Sequence, residues 1–388
     1  MNRMLKKLVP ELIALRRDFH QYPELGFKEF ATQKKIITYL DNVGVKAKKI
    51  AKTGVVGALS GNRQGRTLLL RSDMDALPIQ EETNLEFQSK NSGIMHACGH
   101  DGHMAMLLVA AKLLAQFKEN IAGNIILAFQ PNEEDAGAHK MIEENIIEDF
   151  KVDAAFGCHL WNQLETGRID ICDGPAMAAS HYFYLTVKGV GGHAGFAHES
   201  IDPIFISSHI IQAVQSIQTR QINALDPAVI MFTSIHSGTN TTIIPEKTVL
   251  QGSIRFLYEN GEDILKKFEQ VVNGICNLHG AGYELEFKKG NDMLSNDPSV
   301  AEVVRKAAFS ILKDEKKVTA DIRTMAGEDF SEFAARVPAA FAFVGAKNKS
   351  QPIVYPHHHP QFDLDEDALV LGSELYINVA LNYLKDIF

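Results

Sequence analysis

Three observations predict an α/β fold with a smaller module inserted into it. Through residues 1–179, short apolar runs alternate with helix-spaced patterns, the rhythm of a mostly parallel sheet with helices on its faces. Through 180–291 the order becomes strand, helix, strand, strand, helix, strand, which is the split βαβ, or ferredoxin-like, unit. Through 292–388 the α/β rhythm returns, so the simplest topology builds one domain from both chain ends with the module between them.

Leu5, Leu8, Leu12, Leu15 and Phe19 recur at helical spacing and predict an amphipathic helix over 4–20, with a second over 28–43. The apolar runs 55–59, 67–73, 124–130 and 153–159 have the length of strands, and runs this continuous suit strands covered on both faces. Helices over 102–117 and 137–145 fall between them. In the middle segment, 182–188 alternates apolar and polar residues as a half-exposed strand does; strands follow at 228–236, 248–257 and 283–289, with helices at 200–219 and 261–279. The last segment predicts helices at 298–312 and 327–337, a strand at 340–345 and a terminal helix at 365–385. The crossings near 178–181 and 290–294 are then the hinges.

The 388 residues are 45% hydrophobic and 22% charged, which permits a sizeable core and argues against general disorder. A net charge of −9 argues against a nucleic-acid binder, which would carry a basic domain. No apolar run reaches the ~18–20 residues of a membrane span. The basic start Met1-Asn2-Arg3-Met4-Leu5-Lys6-Lys7 leads into a polar helix instead of the apolar stretch of a secretory signal, so a soluble, cytoplasmic protein is expected. Cys98, Cys158, Cys172 and Cys276 are too few for a disulfide scaffold and form no Cys-x-x-Cys pair. The histidines cluster as His96, His100 and His103, as His193 and His198, and as His357, His358 and His359; imidazoles grouped near Cys, Asp and Glu suggest a metal site.

Four segments carry the chemistry. In His96-Ala97-Cys98-Gly99-His100-Asp101-Gly102-His103, Cys98 and His100 are separated by one glycine, and a tight turn lets both face one metal pair; a buried cysteine plus a helix-capping Asp101 is the bland alternative. Gln130-Pro131-Asn132-Glu133-Glu134-Asp135 ends an apolar strand, where open α/β sheets place ligands. Adjacent glutamates point different ways, so one can hold a metal while the other faces water; a solvated acidic turn is the alternative. His159 ends the next strand, where a lone histidine also serves as a hydrogen-bonded core residue, and Cys158 on the opposite face reads as packing. In Tyr355-Pro356-His357-His358-His359-Pro360, only one imidazole is expected to face a given metal. Together these supply the ligand inventory of a two-metal hydrolytic site.

The order Arg71-Ser72-Asp73-Met74-Asp75-Ala76-Leu77-Pro78, His96 to His103, then Gln130-Pro131-Asn132-Glu133-Glu134 resembles the aminoacylase and carboxypeptidase family of dinuclear metallopeptidases. Arg16 to Gly26, Gly191-Gly192-His193 and Met325-Ala326-Gly327-Glu328-Asp329-Phe330 match as well, so the resemblance spans nearly the whole chain. The branch is its amidohydrolases: hippurate hydrolases, N-acyl-L-amino acid amidohydrolases and indole-acetyl-amino acid hydrolases. The resemblance implies a catalytic domain holding two divalent metal ions (Mn²⁺ or Zn²⁺, with Co²⁺ and Ni²⁺ possible) and an inserted lid that mediates dimerisation. By motif position it implies Cys98, His100, Glu134, His159 and His358 as ligands, with Cys98 bridging, Glu134 and His358 completing one metal, and His100 and His159 the other. Glu133 takes the position of general base and acid. His193 matches a lid histidine that reaches the partner subunit's site and stabilises the oxyanion, and Arg255 matches an arginine that grips the substrate carboxylate. Asp75 would orient a ligand. The chain departs from the family pattern at Asn132 and Asp135, at Phe196-Ala197, at Thr242 and at His181. These changes bear on substrate specificity, and Asp135 would raise the pKa of Glu133 or narrow the pocket.

Other readings have less support. Gly189-Val190-Gly191-Gly192-His193-Ala194 fits the dinucleotide fingerprint, but Pro203 and a polar loop stand where that turn opens a helix at once. There is no Gly-x-Ser-x-Gly elbow and no phosphate loop. A thiol hydrolase built on Cys98 and His100 leaves Glu134 and His159 without a role. A binding module leaves the base unexplained, and a dipeptidase or carboxypeptidase uses the same machinery.

Overall fold

The computed structural model describes residues 2–348 and 355–385. The chain forms two compact units, one of Met1–Ala176, Ser295–Arg323 and Glu328–Phe388, the other of Met177–Leu294 with Thr324–Gly327.

The first unit is a mixed α/β body around an eight-stranded sheet. Its strands lie in the order Lys46–Ile50, Gly54–Ser60, Ala122–Gln130, Arg63–Asp73, Ala154–Glu165, Ala339–Lys347, Ile169–Asp170, Val318–Thr319. The four central strands run parallel. Register sets Asp73 opposite Gln130, Arg71 opposite Gly157 and His159 opposite Phe343, so the carboxyl ends of these strands open along one edge. Their buried runs are nearly continuous, as a sheet covered on both faces requires.

The helix His100–Gln116 is buried almost all round and packs in the core with Leu68, Leu70, Phe156 and Leu375. It begins where it does because Gly99 holds φ 91, a left-handed turn that favours glycine. Gly102 lets it approach the sheet: a Cβ there would sit 2.6 Å from Leu160 Cδ1 and 2.9 Å from Leu369 Cδ2. The leading helix Asn2–Gln21 buries Leu5, Leu12 and Phe19 against the same core.

Some expectations differ from the structure. The helix expected at 327–337 is reduced to Ser331–Ala334. Glu328 Oε1 accepts from the Phe330 N–H at 2.8 Å, and such local side-chain bonds compete with the helical ladder. The helix expected at 137–145 stops at Glu143, and Asn145 turns left-handed at φ 60. The strand Lys46–Ile50 escapes sequence reading because it is a lysine-rich edge with only Ile50 buried.

The second unit is a four-stranded antiparallel sheet in the order Ala228–Ser237, Lys247–Phe256, Ala179–Lys188, Gly282–Lys289. Phe183, Leu185 and Val187 are buried with Ile206, Ile210, Phe268 and Val272 from the helices Pro203–Ala213 and Asp263–Leu278, while Tyr182 and Tyr184 point out. The helix expected at 200–219 starts at Pro203, where Asp202 Oδ1 accepts from the Ile204 N–H at 2.9 Å, and ends at Ala213 before a single π turn.

Candidate metal centre

Three strands, the turn into helix His100–Gln116 that carries Cys98 and His100, and one loop supply the centre, with His159 inside its strand and not at the end expected from the sequence. Strand Arg63–Asp73 delivers Asp73 and then Asp75. Strand Ala122–Gln130 runs into Asn132, left-handed at φ 55, and a short turn that carries Glu133 and Glu134. Strand Ala154–Glu165 carries His159. The loop with His358 is pinned by its own backbone, since the His358 N–H donates to Ala97 O at 2.8 Å.

Donor atoms of Cys98, His100 and His159 lie within 4.8 Å of one another, and so do those of Cys98, Glu134 and His358. Cys98 Sγ is shared between the two groups and lies 3.5 Å from His159 Nε2. His358 Nε2 lies 3.3 Å from Glu134 Oε1. Of its neighbours, His357 turns Nε2 to Leu160 O at 3.1 Å, and His359 Nδ1 accepts from the Gln361 N–H at 3.0 Å.

Hydrogen bonds aim these candidate donor atoms inward. His100 Nδ1 meets Asp75 O at 3.0 Å and Asp75 Oδ1 at 3.2 Å, which leaves Nε2 bare. Asp75 Oδ2 also accepts from the Glu134 N–H at 3.1 Å, so one carboxylate orients parts of both groups. His159 Nδ1 donates to Leu160 O at 2.8 Å, freeing Nε2 toward Cys98. His100 Nε2 is buried with no hydrogen-bond partner among the described residues. Buried polar atoms are rarely left so, and bare imidazole, carboxylate and thiol donors fit a divalent cation.

The electrostatics agree. Burial pushes the Cys98 thiol up, and the charges of Glu134, Glu133 and Asp73 push it further. Burial opposes charge on His100, but Asp73, Asp75 and Glu134 outweigh it and raise the pKa to about 10. Burial, with His103 and His357 nearby, holds His159 well below its usual range. Burial and the carboxylates of Glu328, Glu134 and Asp329 push Glu133 well up. Asp135 is exposed, and the carboxylates that press most on Glu133 are those of Glu328, Glu134 and Asp329.

Sequence reading assigned no role to a buried set beside the centre. Arg71 is 1% exposed and bonds Gln130 Oε1 (2.8 Å), Asp73 Oδ2 (2.9 Å), Glu328 Oε1 (2.9 Å) and Asp329 Oδ1 (3.0 Å). His103 uses both nitrogens, Nδ1 toward Asp73 Oδ1 at 2.7 Å and Nε2 accepting from the Leu160 N–H at 2.9 Å, and is thereby held as a structural group. The available signal was Asp73 and Glu328-Asp329 within segments already quoted as motifs. His193 and Arg255 belong to the second unit. His193 is exposed, with Nδ1 accepting from the Gly195 N–H at 3.0 Å, and Arg255 Nη1 donates to Met325 O at 2.9 Å.

Buried carboxylates, imidazoles and a shared thiol at the carboxyl edge of an open α/β sheet define a protein of the metallohydrolase type. Residues 69–382 match Peptidase family M20/M25/M40, and the chain belongs to that family. It is 41% identical over 379 residues to thermostable carboxypeptidase 1 of Saccharolobus solfataricus, covering 96% of this chain and 95% of that protein. It is 39% identical over 292 residues to the N-acyl-L-amino acid amidohydrolase of Geobacillus stearothermophilus, covering 74% and 78%. The crystal structure of the Bacillus subtilis YXEP protein, a dinuclear metal-binding peptidase of the M20 family, superposes with a TM-score of 0.87 at 32% identity over 98% of this chain and 100% of that one.

Proposed function

We propose that this chain is a metal-dependent amidohydrolase that cleaves the amide bond of N-acyl-L-amino acids, with Glu133 as general base and acid. The carrying observation is the pair of donor groups that share Cys98 beside a buried glutamate. Cys98, Glu134 and His358 would hold one divalent cation, and Cys98, His100 and His159 the other. When bound, the cations would polarise the scissile carbonyl and lower the pKa of water toward ~7. Borderline donors of this kind suit Zn²⁺, and Mn²⁺, Co²⁺ or Ni²⁺ remain within the set's range.

Glu133 then takes a proton from the water that attacks the amide carbon and returns it to the leaving nitrogen. The C–N bond breaks, releasing a carboxylic acid and an amino acid. Its chemistry at that position is favoured by what surrounds it: among the described residues no side-chain or backbone donor hydrogen-bonds its carboxylate, and His100 Nε2 lies 4.0 Å from Oε2.

The second unit, corresponding to residues 180–291 between catalytic segments 1–179 and 292–388, we read as a split βαβ lid that also mediates dimerisation. Its strand order and its exposed Tyr182, Tyr184, Met231 and Ile235 support this. In that reading His193 serves the partner subunit's site, and Arg255 grips the substrate carboxylate. No helix of the described residues is long and apolar enough to cross a membrane. Four unpaired cysteines suit a reducing cytoplasm.

A dipeptidase or carboxypeptidase reading of the same site is favoured by the 41% identical relative's name. Titrating Zn²⁺ or Mn²⁺ into the chelated protein, and assaying N-benzoyl, N-acetyl and indole-acetyl amino acids beside dipeptides, tests both. Metal-restored cleavage of the N-acyl amino acids supports the proposal. Restored cleavage of dipeptides alone favours the peptidase, and full activity in chelator points to a thiol hydrolase.

A further inference from the structure

We infer that Glu328 is a positioning residue for Glu133: clamped by Arg71 and the Phe330 N–H, its carboxylate walls one side of the base and leaves Glu133 facing the reacting water. The inference rests on Glu133 being the base.

The geometry that carries it is a cluster of three buried carboxylates. One oxygen from each of Glu133, Glu328 and Asp329 lies within 4.8 Å of the other two. Glu328 is 2% exposed and Asp329 0%. Asp329 is saturated: its two oxygens take Arg71 Nη2 at 3.0 Å, Gln130 Nε2 at 2.7 and 2.8 Å, and the Ala138 N–H at 2.8 Å. Glu328 is fixed by Arg71 Nη2 at 2.9 Å and the Phe330 N–H at 2.8 Å, both on Oε1. Among the described residues its Oε2 takes only the 3.5 Å contact from Arg71 Nη1.

A buried carboxylate without a hydrogen bond is costly, so a base in such a place is captured by any donor within reach. Two cations lie near it: His100, with Nε2 4.0 Å from Glu133 Oε2 and placed among the metal-donor atoms, and Arg71, whose nitrogens Asp73, Glu328, Asp329 and Gln130 occupy. The wall facing Glu133 on this side is thus made of the fixed carboxyl groups of Glu328 and Asp329. A carboxamide at position 328 would keep the size and the acceptor toward Arg71 but add an N–H₂ group. That donor would bond Glu133 and draw it from the water.

The test is a double-mutant cycle on the metal-loaded protein, with N-acyl amino acid hydrolysis, Zn²⁺ affinity and thermal unfolding measured for E133Q, E328Q, E133Q/E328Q and E328D. For E328Q, kcat falls about 10- to 100-fold, the worth of one hydrogen bond to a charged group. KM, Zn²⁺ affinity and melting temperature stay near wild type. In the E133Q background the second change adds no further loss, because Glu328 acts through Glu133. E328D, which keeps a carboxyl group, retains more kcat than E328Q. An unchanged kcat in E328Q with E133Q inactive overturns the inference, as does a further loss of the same size in the double variant. If E328Q does not fold, E328D decides: a kcat loss as deep as that of E133Q, at unchanged melting temperature, overturns it. Full activity in E133Q removes the reading of the base itself and is a separate result.

Discussion

His358 Nε2 lies 3.3 Å from Glu134 Oε1, tying a loop near the end of the chain to the turn after strand Ala122–Gln130. Of three consecutive histidines, this is the one whose left-handed backbone, φ 66, turns its ring to the Cys98–Glu134 pair. Replacing His358 by alanine should weaken binding of Zn²⁺ or Mn²⁺ by more than the ~10–100-fold that loss of an outer-shell partner causes. His359→Asn should leave it unchanged. Equal effects from the two would refute the choice of His358.

Glu133→Gln should bind Zn²⁺ as wild type does while kcat falls by ~10²–10⁴-fold, the usual share of a general acid–base group. Calorimetry and initial rates on one preparation separate the two effects. A rate close to wild type would remove Glu133 from the mechanism.

Arg71 holds Asp73, Glu328 and Asp329 in the core. Arg71→Met leaves those carboxylates buried without their cation and should destabilise the first unit by about 3–5 kcal/mol. Denaturant unfolding followed by the single tryptophan, Trp161, reads this. A loss below about 1 kcal/mol would mean the network relaxes at little cost.

His20 sets a pH window. Its Nδ1 lies 2.8 Å from Asp101 Oδ2 and its Nε2 3.2 Å from Glu81 Oε1. Burial works against its charge, but Asp101 and Glu81 outweigh that and hold its pKa above 6.5. Burial likewise works against charge on Glu81, yet His20 keeps that carboxyl below its ordinary value. Stability from a raised histidine is full below its unfolded pKa near 6.5 and is lost as pH rises through the folded value; stability from a lowered carboxylate is present above its unfolded value near 4 and is lost as pH falls. The stability difference between wild type and H20N should therefore be greatest between about pH 4.5 and 6.5 and decline on either side. A difference flat across that range would show that His20 contributes packing alone.

Cation binding should release protons. Without a cation, His100 has a pKa of about 10 and Cys98 lies well above 9.0, so both are protonated at neutral pH. Each must lose its proton to become a ligand, so affinity for Zn²⁺ should climb from about pH 7 to 9, by roughly tenfold per pH unit for each proton released. Titration calorimetry in two buffers of different ionisation enthalpy counts the protons. A heat that is identical in both would rule out this coupling.

What the sequence by itself determined is what depends on near neighbours. Continuous apolar runs at 55–59 and 124–130 located the buried strands Gly54–Ser60 and Ala122–Gln130, and helical spacing the helix Pro298–Leu312, whose cap Asp297 accepts from Ser299 and Val300. Residue types and motif order brought out the acids, imidazoles and thiol of the centre. Tertiary structure decided which of them meet. Parallel pairing of Arg63–Asp73 with Ala122–Gln130 and Ala154–Glu165 puts Asp73, Glu133 and His159 at one edge, and only the path of the chain after Tyr355 selects His358 from its neighbours. It also turned Glu328 and Asp329 out of a helix and onto Arg71, because burying an arginine demands carboxylates from wherever the fold can bring them, and no local spacing records that demand.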